Sequence, residues 1–167
     1  MVSKFLIADL HFGHENILKH CRPQFRTIYE MNETIVQNWN SVVKPKDIVY
    51  LLGDIVWTLE AFQYLRRLQG RIKIILGNHD LFQVDKYLDV AEIVCGADQI
   101  VVKDFGKIIL THIPVHPQQL SERFRMNIHG HLHEVQIKND PRYVCVSCEQ
   151  VNFTPINLEE ILANYRK

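Results

Sequence analysis

The sequence predicts an α/β domain, and two features of the chain support that class. Short apolar runs typical of buried strands alternate with amphipathic segments typical of helices. Two successive strand–helix–strand units imply right-handed crossovers between parallel strands. Several apolar runs also end in a glycine followed by polar side chains, as in Gly77-Asn78-His79-Asp80. Because open α/β sheets hold their ligands at such carboxyl ends, the same pattern predicts a functional site.

The composition narrows the class of protein further. The chain has 167 residues, of which 47% are hydrophobic, and we expect one domain spanning residues 1–167. The 19 basic residues balance the 19 acidic ones, so we expect no strong general affinity for nucleic acid or a membrane surface. No apolar run approaches the roughly 20 residues that span a bilayer, and residues 1–4 lead directly into a strand. These features, together with only four cysteines, predict a cytoplasmic protein, in which the pair Cys145 and Cys148 is a weak zinc or redox signal.

Three buried strands alternate with helices in the first half of the chain. Continuous β-branched and aliphatic residues predict strands over residues 2–8, 47–52 and 71–76. Helices are predicted over residues 14–21, from 31 or 32 to 43, and over 59–69. Thr58 is the expected N-cap of the third helix and Gly70 its C-cap.

The second half predicts shorter strands and hairpin connections. A helical turn over residues 82–88 leads to strand-like runs at 91–94, 99–103 and 107–111, with a turn at Asp104-Phe105-Gly106. Further strands are predicted at 125–128 and 143–147, and a terminal helix at 158–165. The runs at 107–111 and 125–128 lead into histidines, which adds polar side chains at strand ends.

The polar residues at these strand ends are all of types that bind metals or transfer protons. They are Asp9, His11, Asp54, Asn78, His79, Asp80, His112, His131 and His133. An acid and a histidine two residues apart project from the same side of a strand and can hold one ion. The set is large enough for two ions, with one carboxylate as a bridge. Nitrogen and oxygen ligands without thiolate favour Mn, Fe, Zn or Ni over calcium or a dedicated magnesium cage.

Five motifs in a fixed order resemble the calcineurin-like metallophosphoesterases. They are Asp9-x-His11, Gly53-Asp54, Gly77-Asn78-His79-Asp80, Thr111-His112 and Gly130-His131-x-His133, and they cover residues 1–135. Each motif alone is weak, whereas five in order, each after an apolar strand, are specific. The stretch from Asp9 to Ile17, with Arg22-Pro23 and residues 152–156, further resembles small single-domain bacterial and phage members of that family.

The resemblance implies a fold and a metal centre. The fold would be a four-layer α/β/β/α sandwich with two facing mixed β-sheets. The first metal would be held by Asp9, His11, Asp54 and His133, and the second by Asp54, Asn78, His112 and His131. A hydroxide bridging the two ions would attack a phosphate ester in line, because two divalent ions make water acidic enough to react at neutral pH. His79 would be the general acid, and Asp80 would orient it by accepting a hydrogen bond from its ring.

Four residues near these motifs are candidates for substrate binding, each with an alternative. His14 would contact the phosphate or cap the helix that it begins, and Asn16 and Arg22 would bind phosphate or lie exposed to solvent. His116 lies on an expected active-site loop stiffened by prolines at 114 and 117. We interpret Trp57 as structural. Family members often carry a further acid after Gly53-Asp54, and the sequence Ile55-Val56-Trp57 departs from that pattern at the substrate rim.

The expected function is hydrolysis of a phosphodiester of a nucleotide or another small organic phosphate, with two divalent transition-metal ions, manganese first among them. A phosphomonoesterase or a nuclease with the same centre is an alternative, and salt-dependent binding of DNA or RNA would favour the nuclease. A non-catalytic interaction module on the same fold is the alternative from a different class. Such modules typically lose metal ligands or the general acid, and all of these residues are present here.

Overall fold

The computed structural model describes residues 2–80, 84–121 and 123–165, which hold nine strands and five α-helices. The strands are β1 (Lys4–Ile7), β2 (Ile48–Leu51), β3 (Arg71–Ile75), β4 (Ile93–Cys95), β5 (Asp98–Val102), β6 (Gly106–Leu110), β7 (Met126–His129), β8 (Tyr143–Cys145) and β9 (Ile156–Asn157). The helices are α1 (Ile17–His20), α2 (Ile28–Val42), α3 (Phe62–Leu65), α4 (Val84–Tyr87) and α5 (Leu158–Tyr165). A short 3-10 helix spans Pro117–Leu120.

The first sheet has the strand order β4-β3-β2-β1-β9. Strands β1 to β4 run parallel, whereas β9 pairs with β1 in the antiparallel direction. In the register of this sheet, Ile7 of β1 pairs with Leu51 of β2, and Leu51 pairs with Ile74 of β3. The carboxyl ends of β1, β2 and β3 therefore meet at one edge, as the predicted crossovers require. The two-residue strand β9 was not predicted, because so short a segment carries no readable pattern.

The second sheet has the strand order β5-β6-β7-β8. Strands β5 and β6 form an antiparallel hairpin around the predicted turn at residues 104–106, and β6, β7 and β8 run parallel. The two sheets meet next to the carboxyl end of β1, where the Ala8 N–H donates to the Val146 carbonyl at 2.9 Å. The Cys148 N–H donates to the Ala8 carbonyl at 3.1 Å, so that residues following β1 and β8 are hydrogen-bonded directly. This junction places the ends of both sheets side by side.

The core consists of two apolar clusters on opposite faces of the first sheet. One lies between the sheets and includes Leu6, Leu52, Ile108 and Ile128, together with the buried side of α5. The other lies under α2 and α3 and includes the fully buried Trp39. The predicted α/β sandwich with two mixed sheets is thus confirmed.

The outer face of the second sheet is covered by the connection from β6 to β7. There the Val115 N–H donates to the Asn127 side chain at 3.0 Å, and the Tyr143 hydroxyl donates to the Val115 carbonyl at 2.7 Å. Among the described residues of this connection, the only helical segment is the 3-10 helix that begins at Pro117. Pro117 is the first residue of that helix, a position where the missing N–H of proline removes no intrahelical hydrogen bond.

Helix boundaries differ from the prediction at three places. Helix α1 spans only Ile17–His20 of the predicted residues 14–21. Helix α2 begins three or four residues early because Thr27 is its N-cap and accepts a hydrogen bond from the Glu30 N–H at 3.1 Å. The prediction of a long third helix capped by Thr58 is wrong, since α3 spans only Phe62–Leu65 and its N-cap position is Ala61. Residues 82 and 83 of the predicted turn at 82–88 lie outside the described residues. None of the helices in the described part of the chain is both long and apolar enough to cross a bilayer.

Candidate metal centre

The predicted metal ligands all follow strands whose carboxyl ends meet at the junction of the two sheets. Asp9 and His11 follow β1, and Asp54 follows β2. The loops after these strands run side by side, since the Asp9 N–H donates to the Gly53 carbonyl at 2.9 Å and the His11 N–H donates to the Asp54 carbonyl at 3.0 Å. The loops after β6 and β7 are paired similarly by the bond from the Gly130 N–H to the His112 carbonyl at 3.0 Å.

The backbone at most of these ligands is left-handed. Five of the seven predicted ligands have a positive φ: Asp9 (59°), His11 (51°), Asp54 (53°), His131 (69°) and His133 (50°). Such a conformation costs on the order of 1–3 kcal/mol for a residue other than glycine, and it persists only where the surrounding structure imposes it. Its concentration at one place makes the junction the candidate functional site.

The first group of potential ligands consists of Asp9, His11 and His133. Asp9 Oδ1 lies 4.0 Å from His11 Nε2 and 3.9 Å from His133 Nε2. The other carboxylate oxygen of Asp9 is occupied, because it accepts hydrogen bonds from the His131 N–H at 2.9 Å and the Ser147 hydroxyl at 2.7 Å. Asp9 Oδ1 and His11 Nε2 are buried and have no hydrogen-bond partner among the described residues. Unpaired buried donors and acceptors of this kind fit a bound cation.

The second group consists of Asp54, His112 and His131, with Asn78 beside it. His112 Nε2 lies 3.0 Å from Asn78 Oδ1, 3.3 Å from His131 Nδ1 and 3.5 Å from Asp54 Oδ2. The other ring nitrogen of His112, Nδ1, donates to the Leu52 carbonyl at 2.8 Å. That bond fixes the tautomer in which Nε2 carries a free lone pair, as a metal-binding histidine requires.

Asp54 lies between the two groups. Its Oδ2 is 3.8 Å from His11 Nε2 in the first group and 3.5 Å from His112 Nε2 in the second. Its Oδ1 accepts the His79 N–H at 3.0 Å. No space is left for a side chain at Gly77, since an added Cβ would overlap the Asp54 carboxylate. The donors of each group fit a divalent metal ion, and Asp54 would be a ligand common to both groups.

Burial and neighbouring charges set the protonation of the two carboxylates. Burial raises the pKa of Asp9 to about 6, although His112 and His133 act to lower it. Burial also raises the pKa of Asp54, but the hydrogen bond and charge of His112 outweigh it and bring the pKa down to about 2. Asp54 is thus ionised across the physiological range, as a carboxylate shared by two cations must be.

Asp80 has a different environment from the one that we predicted. Its fully buried carboxylate accepts the N–H groups of Asp54 (2.6 Å), Ile55 (3.0 Å) and Gly77 (2.8 Å) and the Tyr87 hydroxyl (2.6 Å). None of the hydrogen bonds found in the described residues joins it to the His79 ring. The predicted orienting contact is therefore wrong, because both oxygens of Asp80 are committed to holding the loops after β2 and β3 together.

Arg22 is not available for substrate. It is fully buried and donates to the carbonyls of Leu10, at 3.0 Å, and Asp9. Its Nε donates to Glu149 Oε1 at 2.8 Å, and the same oxygen lies 3.0 Å from His133 Nδ1. The proposed phosphate fork is wrong, because the guanidinium is directed inward at the backbone of the first ligand loop.

Glu149 is a site residue that sequence reasoning missed. Burial raises its pKa, but the hydrogen bond from His133 and the charge of Arg22 outweigh burial and lower it to about 2. An ionised carboxylate on Nδ1 of a histidine leaves Nε2 as the free lone pair, and His133 Nε2 is the atom that faces Asp9. The signal in the sequence was weak, since a single Glu after a cysteine is common in surface loops.

The remaining candidates lie around the rim. His14 contacts the centre, with its Nδ1 3.2 Å from His11 Nδ1, and its ring stacks on Trp57. Asn16 is exposed and lines a surface groove of about 580 Å³ with residues up to Ile28. His116 is exposed and caps the 3-10 helix by accepting the Gln118 N–H at 3.3 Å. No contact within the described residues connects Asn16 or His116 to either ligand group.

Comparison with known proteins identifies the family. Residues 4–152 match the calcineurin-like phosphoesterase superfamily domain. An uncharacterized protein of Methanocaldococcus jannaschii is 34% identical over 95% of this chain and 88% of that protein. The gene 66 protein of Mycobacterium phage L5 is 29% identical over 82% of this chain and 80% of that protein. The symmetrical bis(5'-nucleosyl)-tetraphosphatase of Buchnera aphidicola is 31% identical, but the match covers 48% of this chain and 25% of that enzyme.

A solved structure shares the whole fold. The protein of unknown function AQ665 from Aquifex aeolicus is 26% identical, with a TM-score of 0.80 over 98% of this chain and 100% of that chain. The fold and the site define a protein with a cluster of potential nitrogen and oxygen metal ligands at the junction of two mixed sheets. The chain belongs to the calcineurin-like phosphoesterase superfamily, whose members use divalent metal ions.

Proposed function

We propose that this protein is a phosphoesterase that requires two divalent transition-metal ions. The observation that carries the proposal is the position of Asp54 Oδ2 between two ligand groups. The ligands of the first ion would be Asp9, His11, Asp54 and His133, and those of the second Asp54, Asn78, His112 and His131. Manganese is the first choice, with iron, zinc and nickel as alternatives of the same ligand preference. Bound ions would neutralise phosphate oxygens and lower the pKa of a water molecule to near neutrality.

The protein's own groups orient these ligands and supply a proton. Glu149 and the Leu52 carbonyl hold the rings of His133 and His112 with Nε2 directed into the centre. His79 is the proposed general acid, because its side chain is 46% exposed and its Nε2 lies 3.9 Å from Asp54 Oδ2. A ring at the mouth of the centre can reach the oxygen of a departing alcohol, whereas the buried histidines cannot.

The proposed substrate is a phosphodiester of a nucleotide or another small organic phosphate. The balanced charge of the chain does not favour a long track for nucleic acid. The relative from Buchnera aphidicola is named for hydrolysis of a dinucleoside tetraphosphate, which supports a nucleotide as the substrate class.

Hydrolysis of chromogenic esters tests the proposal. Protein stripped with a chelator should be inactive on bis(p-nitrophenyl) phosphate and p-nitrophenyl phosphate, and added Mn²⁺ should restore hydrolysis of the diester. Asp54→Asn should abolish the restored activity because the shared ligand is lost. Two bound ions without turnover of either ester would instead favour a non-catalytic binding module.

The role of His79 is tested by the leaving group. We expect His79→Ala to lower the rate by about 10²–10⁴ on esters of poorly acidic alcohols. Hydrolysis of p-nitrophenyl esters should change far less, because p-nitrophenolate departs without a proton. An equal loss on both kinds of ester would show that His79 is not the acid.

A further inference from the structure

Trp57 is a large aromatic side chain left exposed beside the candidate metal centre. It follows the Asp54 ligand by three residues and is 41% exposed. The other tryptophan, Trp39, is fully buried, and its indole N–H donates to the Gln69 carbonyl at 2.8 Å. Burial of an indole side chain is strongly favourable, so packing alone does not account for the exposure of Trp57.

Two site histidines lie against the Trp57 ring, and one of them stacks on it. The His14 ring stacks on it in parallel, with ring centroids 3.7 Å apart and an interplanar angle of 5°. The His79 ring approaches at 4.9 Å but is tilted by 52°, so it does not stack. The indole is therefore supported on one face, next to the proposed general acid, and 41% of the residue is open to solvent.

We propose that the exposed indole of Trp57 is a stacking surface for the nucleobase of a nucleotide substrate. This proposal deepens the proposed function, because it rests on the phosphate being bound at the adjacent metal centre. A flat aromatic surface stacks on any of the bases, and a ring already fixed by His14 loses little freedom when a base binds. The resulting selectivity is for nucleoside esters of phosphate over esters of sugars or aliphatic alcohols.

The test compares two ligands that differ only in the base. They are the phosphonate analogues of adenosine 5'-phosphate and of ribose 5-phosphate, in which carbon replaces the ester oxygen and prevents turnover. Calorimetry on the Mn²⁺-loaded protein should give a dissociation constant roughly 5- to 150-fold lower for the adenosine compound, the range expected for stacking of one base. The adenosine compound should also quench the emission of Trp57, the only exposed tryptophan of the two.

Variants at Trp57 separate stacking from simple apolar contact. Trp57→Phe should retain much of the preference for the adenosine compound, and Trp57→Leu should lose it. The matched control is Tyr29→Leu, which removes an aromatic side chain that is 64% exposed on α2. That variant should keep the preference unchanged.

Two results would overturn the proposal: equal affinity of the wild type for both phosphonates, or a preference that survives in Trp57→Leu. The outcome is independent of the activity assay. A base preference in a protein that hydrolyses no ester would refute the phosphoesterase proposal and leave the stacking surface standing. Ester hydrolysis without any base preference would refute the stacking surface and leave the phosphoesterase proposal standing.

Discussion

Replacing Asp80 by asparagine separates a structural role from an orienting role in catalysis. Each oxygen of the buried carboxylate accepts two hydrogen bonds, three of the four from the backbone at Asp54, Ile55 and Gly77. An asparagine amide offers only one accepting oxygen, so at least one backbone N–H loses its acceptor and the other bonds become neutral. With about 1.5–3 kcal/mol for a bond to a charged group and about 1 kcal/mol for a neutral one, the loss of stability is about 3–9 kcal/mol.

Thermal unfolding in the presence of chelator measures this loss. For a chain of this length each kcal/mol shifts Tm by about 2–4 °C, so Asp80→Asn should lower Tm by roughly 6–36 °C. Tyr87→Phe is the graded control, because it removes a single bond to Asp80 and should cost about 1.5–3 kcal/mol. An unchanged Tm in Asp80→Asn, with activity lost only on esters of poor leaving groups, would refute this reasoning and restore Asp80 as the partner of His79.

Two further substitutions test the support of the ligands. Glu149→Gln should weaken binding of one of the two Mn²⁺ ions by about 10–100-fold in calorimetry, as loss of a carboxylate on a ligand histidine does. The exposed neighbour Glu134→Gln should leave both affinities unchanged, and equal effects of the two would contradict the role of Glu149. Gly77→Ala should abolish binding of both ions, because the new methyl group overlaps the carboxylate of Asp54. Gly96→Ala is its control, since a Cβ there meets nothing within 4 Å, and intact metal binding in Gly77→Ala would show that the loop has room to move.

The sheets, and the strand ends that bring the predicted ligands together, could be predicted from the sequence for a physical reason. Strands β1, β2 and β3 are short apolar runs, and the polar side chains that follow each run stand out against them. Parallel pairing then brings the strand ends to one edge, so local sequence carries most of the information about the site.

The errors concern contacts between residues distant in the chain. Glu149 and Arg22 are 127 positions apart, and nothing near either residue indicates that they pair. Arg22 was predicted to bind phosphate because arginine is a frequent phosphate ligand. Nothing in the neighbouring sequence indicates that it is buried against the Asp9 and Leu10 carbonyls. Asp80 was assigned to its sequence neighbour His79, whereas its partners lie in the loops after β2 and β3 and on α4.

Helix α3 is shorter than predicted, although the apolar pattern that predicted it correctly identified the buried residues. The apolar residues Phe62, Leu65 and Leu68 have the spacing of one helix face, and all three are buried. Around α3, however, the backbone uses mainly bonds to the third preceding residue, such as Leu68 N–H to the Leu65 carbonyl at 3.2 Å. A period near three places the same side chains inward as a period of 3.6 over so short a segment, so the pattern could not distinguish the two.

Diffraction from crystals grown with Mn²⁺, measured at the manganese absorption edge, tests the central claim most directly. The account predicts two anomalous peaks roughly 3.5–4 Å apart, on either side of Asp54 Oδ2, one beside Asp9 and the other beside His112. A single peak, or a peak among Cys21, His133 and Glu149, the third group of potential ligands, would contradict it.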